Sequence, residues 1–207
     1  MGDTAEVGRI RLSTAFRRAR GGQIRATFMR AEADLLISLV RQLFELTRAD
    51  QPSDEDEDGS EDPLTSVVGM RQDQPRPTDP VLLRLFPDGY ADDDAAAGDF
   101  RRYTEHGLRE AKTANATTVL ASLTFADDTA DRVEVTLDPA QTGAWLRTLT
   151  DLRLALGTRL GVTEGDEEVW DQLEADDPRR HVHDVYDWLG WVQETLVRAA
   201  SAGLGRR

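Results

Sequence analysis

The chain has 207 residues, 39% of them hydrophobic, and a formal charge of −14 at pH 7, a length that suits one domain carrying an insertion or tails. Such acidity excludes a uniform, charge-driven attraction to nucleic acid or anionic membranes, so any such contact needs a local basic patch. The absence of cysteine excludes a disulfide framework and a thiol switch within the chain.

Residues 1–13 read as a loose arm or a short first strand, with Ile10 and Leu12 alternating with Arg9 and Arg11. Residues 14–29 read as a β-hairpin turning at Gly21-Gly22, because paired glycines supply the positive φ angles of a tight turn. A two-residue turn there would set Ala19 against Ile24 and Ala15 against Phe28, with Arg18 directly across from Arg25. Helical spacing returns from Ala31 to Arg48. Leu36, Leu39, Val40, Leu43 and Phe44 form its stripe, and Leu35, Ile37 and Leu46 widen it, which predicts a central helix packed on more than one side. Its natural partner is the helix predicted after Asp138.

Periodicity disappears between about 49 and 78. The segment QPSDEDEDGSEDP holds seven acids and no base, the composition of a disordered acidic insertion. An Asp-Pro start then predicts a short helix over 79–86, ended by Pro87 and Gly89. Acids at 92–94 would cap a long helix running to about Leu123, with Phe100, Tyr103, Ala111, Ala114, Val119 and Leu120 as inward candidates and Lys112 and Asn115 in its middle. Residues 132–137, RVEVTL, alternate as a strand able to pair with the hairpin.

The best specified element is 138–161. Asp138 is a strong N-cap, and Pro139 at the first helical position gives up no hydrogen bond. Trp145, Leu149, Leu152, Leu156 and Leu160 recur at helical spacing, with Leu146 and Ala155 beside them, and Gly161 fits a left-handed C-cap. Burying such side chains is worth about 1.5–3 kcal/mol each, so this is a core helix. Asp151 stands near that stripe. The plain expectation pairs it with Arg147 at the surface, and the sharper one is a buried carboxylate in use. A last helix opens at Asp177-Pro178, with Val185, Trp188, Leu189, Val192 and Leu196 on one face, and the tail from 201 to 207 is expected to fray. The fold class is therefore mainly α with a small antiparallel β element (α+β), a helical core plus an N-terminal hairpin in one domain over 1–207.

Residue chemistry nominates little. His181 and His183 lie two apart, whereas a helical zinc pair uses spacings of three or four. His106 has no companions, and no serine elbow, phosphate loop or dinucleotide fingerprint occurs. Gly21-Gly22-Gln23 matches the tripeptide of peptidyl-tRNA-hydrolysing release factors, but a hairpin turn accounts for two of its residues. No metal, cofactor or enzymatic activity is expected. Lys112 is the only lysine among 25 basic residues; in an arginine-biased sequence it is either chance or chemistry. The strongest charge feature is 9–30, with seven arginines and no acid. Arginine's donor fork suits phosphate and the guanine edge, and a two-stranded ribbon fits the major groove. Arg17, Arg18, Arg20 and Arg25 are thus the nucleic-acid candidates, against the plainer reading of a solvated sheet face. No signal peptide or membrane-length apolar run is visible, so the cytoplasm is the expected location.

The segments AWLRTLTDLRLALGTRLGV (144–162), LREAKTANATTVL (108–120) and DPVLLRLFPDGY (79–90), with helix 31–48 and YDWLGWVQETLV (186–197), resemble an actinobacterial family named after its oxidative-stress transcriptional regulator, AosR. The match covers most of the chain outside 49–78 and consists of packing motifs. The resemblance implies a cytoplasmic regulator of oxidative-stress and cysteine-synthesis genes, acting through DNA, a sigma factor, or both. A homo-oligomer is a further expectation. The cysteine pair by which the family's namesake is thought to sense redox state has no counterpart in this chain. The alternative is an interaction module that binds a sigma factor or a proteolysis adaptor through the last helix, with Trp188 and Trp191 as its aromatic candidates.

Overall fold

In a computed structural model of the chain, the described residues are 15–48, 77–90, 93–124, 130–163, 165, 170, 173–174 and 176–202. The expectations for 1–13, for the acidic insertion at 49–76 and for the tail beyond 202 lie outside them. Among the described residues, eight strands and α-helices follow in order: β1 (Arg17–Arg18), β2 (Ile24–Met29), α1 (Arg30–Arg48), α2 (Pro80–Leu85), α3 (Asp94–Ser122), β3 (Arg132–Leu137), α4 (Pro139–Leu160) and α5 (Pro178–Ser201). The fold is mainly helical, with one antiparallel three-stranded sheet in the order β1-β2-β3.

The hairpin forms, but its turn is longer than the two residues expected. Arg20, Gly21 and Gly22 make a short 3₁₀ turn with φ of 74° and 82° at the glycines, closed by the Ala19 N–H donating to the Gln23 carbonyl at 2.8 Å. The extra residue moves the register by one: Arg17 faces Arg25 and Arg18 faces Ile24. Because side chains alternate with period two, the shift exchanges the faces of β1. Phe16 becomes buried beneath the sheet with Ile24, Ala26 and Phe28, and Arg17 turns outward. The alternative would have sent the phenylalanine into water, and that decides the register.

β3 pairs with β2 along six residues, from Ile24↔Leu137 to Met29↔Arg132. Its Val133, Val135 and Leu137 join the same inner face, so the sheet covers the helices on one side and meets water on the other. Trp145 of α4 holds the sheet down. Its ring stacks on Phe28 (5.8 Å, 14°) and meets Phe16 edge-on at 5.4 Å, while its Nε1–H donates to Ser122 Oγ at 2.9 Å. The Phe16 N–H donates to Thr195 Oγ1 of α5 at 3.2 Å, so the first strand is tied to the last helix.

α4 matches its sequence signals. Asp138 accepts from the Gln141 N–H, and the Gln141 side chain accepts from the Asp138 N–H, completing a capping box. Gly161 ends the helix at φ 70°. Trp145, Leu149 and Leu152 are buried, and Leu156 and Leu160 are half-buried. On α5 all five expected residues, Val185, Trp188, Leu189, Val192 and Leu196, are buried. α1 departs from expectation in its neighbour: it packs chiefly on α3, because α4 is already clasped between α3 and α5.

The largest correction concerns α3. Phe100, Tyr103, Ala111 and Ala114, expected inward, are all exposed; Val119 is buried and Leu120 half-buried. The inward side instead carries Ala97, Glu105, Arg109, Ala116, Val119 and Leu123. Charged residues hold the middle of the buried face, and apolar periodicity therefore pointed to the wrong side.

Candidate functional site

Two places combine charge with fixed geometry: the outer hairpin and an ionic network under α2. At the hairpin, Arg17, Arg18, Arg20 and Arg25 are all exposed. Arg17 and Arg25 are cross-strand neighbours on the outer face, where like charges repel in the absence of an anion. Arg20 lies in the turn, and the Arg18 guanidinium reaches back to within 4.0 Å of where a Cβ on Gly22 would stand. Among the described residues none of the four makes an ion pair. The hairpin thus displays Arg17 and Arg25 together on its outer face, Arg20 in its turn, and Arg18 at the strand position paired with Ile24, on the other face.

The second place was half legible. Asp151 does not pair with Arg147: it is buried, and its Oδ1 accepts from Lys112 Nζ at 2.6 Å. The chain's single lysine and its odd helical carboxylate are therefore partners across the α3–α4 seam. One turn away, Arg109, only 2% exposed, donates through Nε and Nη2 to Glu105 Oε1 at 2.9 and 2.6 Å. Its Nη1 donates to the Thr47 carbonyl at 2.7 Å, satisfying an orphan acceptor in the last turn of α1. The Arg109 guanidinium lies 4.5 Å from the Phe86 ring centroid, and Lys112 Nζ lies 5.7 Å from it, so one aromatic ring below α2 faces both cations. Burial pushes the Asp151 carboxyl above its ordinary value against the opposing pull of Lys112. Asp79 at the head of α2 goes the other way. Burial pushes it upward, but the Val81 N–H and the Arg159 guanidinium together hold it below the ordinary carboxylate range. The network joins α2, α3 and α4 by ionic contacts and reaches α1 through the hydrogen bond from Arg109 to the Thr47 carbonyl. It has the geometry of a packing device: each cation is matched by an acid within its own cluster, and neither points to an open cleft.

The remaining nominations separate cleanly. His183 stacks on Trp170 at 4.8 Å and has Asp187 at 3.5 Å, while His106 pairs with Glu110 at 3.3 Å. Among the described residues no group of three or more metal-ligating side chains is assembled. Trp188 is 5% exposed and belongs to the core, and Trp191 is half-buried against it. Between α4 and α5, Arg153 donates to Gln193 Oε1 at 2.9 Å and lies over the Tyr186 ring, and the helices approach closely where Gly157 meets that ring and Gly190 meets Arg153. A sequence signal for the ionic network existed in the lone lysine and the charged i, i+4 pair Glu105/Arg109; only the partner of each was illegible.

The fold and these sites define a class: a mainly helical α+β scaffold that displays a basic β-hairpin and seals its helices with buried ion pairs. Over residues 13–200 the chain matches the model of a family described as a domain of unknown function, DUF2017, and it belongs to that family. A Mycobacterium leprae protein bearing the AosR name is 33% identical over 198 residues, covering 89% of this chain and 85% of that protein. The oxidative stress regulators AosR of Mycobacterium bovis and Mycobacterium tuberculosis are each 32% identical over 188 residues, covering 86% of this chain and 82% of those proteins. No solved structure matches the chain.

Proposed function

We propose that this protein is a non-catalytic, cytoplasmic regulator in the response to oxidative stress, acting on nucleic acid through the arginine hairpin. The regulatory part rests on relatives that carry the name oxidative stress regulator over more than four fifths of their length. The nucleic-acid part rests on one observation: Arg17 and Arg25 stand side by side on the exposed face of a hairpin that also carries exposed Arg18 and Arg20, with no ion pair among the described residues. In a chain of net charge −14, four exposed cations on one hairpin, two of them held side by side against their own repulsion, favour a polyanion as ligand. The signal must come from outside the chain's own thiols, since it has none. The alternative, an interaction module for a sigma factor or proteolysis adaptor, requires a surface other than Trp188, which packs in the core.

Salt-dependent binding to duplex DNA tests the reading. Four phosphate contacts give a slope of log K against log salt of roughly −3.6. Replacing all four arginines by alanine should remove most of that slope while leaving thermal unfolding unchanged, because the side chains are exposed. Binding of equal affinity and slope in the quadruple variant would reject the hairpin as the site.

A further inference from the structure

Resting on the nucleic-acid reading of the hairpin, we infer that the outer face of the whole sheet docks in the major groove of a DNA duplex, where Glu134 reads base edges between two phosphate-binding ends. The register places the side chains. On one face of the sheet Arg17 stands against Arg25 beside the turn, Thr27 against Glu134 in the middle, and Met29 against Arg132 at the far end. The three arginines, Glu134 and Met29 are exposed and Thr27 is half-buried, while the opposite face is sunk in the core. Arg132 lies far outside the basic run of 9–30, and only the pairing of β3 with β2 brings it to the hairpin. Among the described residues neither Arg132 nor Glu134 makes an ion pair, although they are second neighbours on the same strand. The acid is therefore not consumed by the cation beside it.

The ligand follows from spacing and residue type. Arg25 and Arg132 stand four residues apart along the strands and one strand across, a separation of about 14 Å. The major groove is about 12 Å wide, so Arg17 and Arg25 reach one phosphate backbone while Arg132 reaches the other. Thr27 and Glu134, midway between them, then meet base edges. On a surface that only gripped phosphates, a central carboxylate would weaken binding by repulsion. On a base edge it has a partner, because the cytosine N4 amino group donates to a carboxylate. Single strands are held by stacking on aromatic rings, and the outer positions of the described strands carry Arg, Thr, Met and Glu but no ring. The major groove of duplex RNA is too deep and narrow for side chains to read. Duplex DNA is the class that remains.

The test uses the full chain and a pool of random-sequence DNA duplexes, read by fluorescence anisotropy over a range of salt. Arg132→Ala should reduce the slope of log K against log salt by about 0.9, the share of one phosphate contact. Arg84→Ala, which removes an exposed cation on α2 away from the sheet, should leave the slope as it is. Glu134→Ala should bind the random pool more tightly, because it removes a negative charge from among the phosphates. Duplexes selected from the pool by the wild type should share a fixed cytosine. Exchanging that C·G pair for T·A should weaken the wild type by about tenfold and leave Glu134→Ala nearly indifferent. Glu134→Gln should move the preference from cytosine to adenine, the base a glutamine amide reads, and it decides the matter if the alanine variant does not fold. Wild type that binds no duplex rejects the hairpin reading and this inference together. Binding that depends on the hairpin arginines, but with the slope unchanged in Arg132→Ala, overturns the inference alone. So does selection of no fixed cytosine, discrimination that survives in both Glu134 variants, or a single-stranded pool that competes as well as the duplex.

Discussion

α3 and α4 lie against each other, yet they bury themselves by different means. α4 turns Trp145, Leu149 and Leu152 inward, and Asp151 is the one charged residue among its buried ones. α3 turns Glu105, Arg109, Ala116 and Val119 inward and leaves Phe100 and Tyr103 in water. The first face is held by apolar area, which is non-directional and tolerant of small shifts. The second is held by directed bonds: the Arg109 fork on Glu105 and Thr47, and Lys112 on Asp151. Ion pairs of this kind hold register, and they are unforgiving when halved.

The contrast is broken most severely at its two anchors. Trp145→Ala should cost about 3–5 kcal/mol, the range for truncating a buried aromatic. Arg109→Ala should cost a similar 3–5 kcal/mol because it strands Glu105 and the Thr47 carbonyl. What separates the helices is rescue. Replacing both members of the α3 pair, Glu105→Leu with Arg109→Met, should recover much of the loss in urea unfolding, because a paired charge is often no better than apolar residues of similar volume. No polar substitution should rescue Trp145→Ala. A double variant as unstable as Arg109→Ala would mean that the ion pair is itself a net source of stability.

The same difference explains what was legible. In α4 the cap at Asp138, the stop at Gly161 and the inward tryptophan were readable, since each acts within one or two turns of its own chain. In the hairpin, strand existence was readable but register was not, because the burial of Phe16 against Trp145 and Phe28 is a tertiary event. In α3 the boundaries were readable and Val119 and Leu120 were rightly placed inward, but over 100–114 the face was misread. A hydrophobic count assumes that burial is apolar, and the partners of Arg109 and Lys112 lie 62 and 39 residues away. The exposed arginines were legible as a basic run, but that Arg17, not Arg18, faces Arg25 was visible only once the turn had three residues.

Next in size come the two carboxylates that border the seam. Asp151 has a folded-state pKa raised above the ordinary 3.8, chiefly by burial. Its contribution to stability is therefore present below that value and is lost as pH rises through the folded one. Asp151→Asn should cost less, relative to wild type, at neutral pH than in acid. Asp79 has a lowered pKa, so its contribution is present above about 3.8 and is lost as pH falls through the folded value. Asp79→Ala, which also removes the cap of α2, should cost about 0.5–2 kcal/mol at neutral pH and progressively less in acid. Denaturant midpoints between pH 3 and 7 check both signs, and parallel trends would refute the opposed environments.

The smallest effect discriminates most finely between the two faces of α3. Ala114 and Ala116 are two residues apart; the first is exposed and the second is in the core. Ala114→Gln should shift stability by no more than about 0.5 kcal/mol, the scale of helix propensity at a solvated position. Ala116→Gln must force a polar side chain into a packed seam, and should cost about 1–3 kcal/mol from overpacking before any unsatisfied amide is counted. Thermal unfolding of the two variants measures the difference directly. Had the apolar pattern of the sequence been a true guide to this helix, the order would be reversed: position 114 would be the sensitive one, and 116 would accept the glutamine. The buried charges of Arg109 and Glu105 are what make the opposite outcome the expected one, since they fix the rotation of α3 from about two and three turns below.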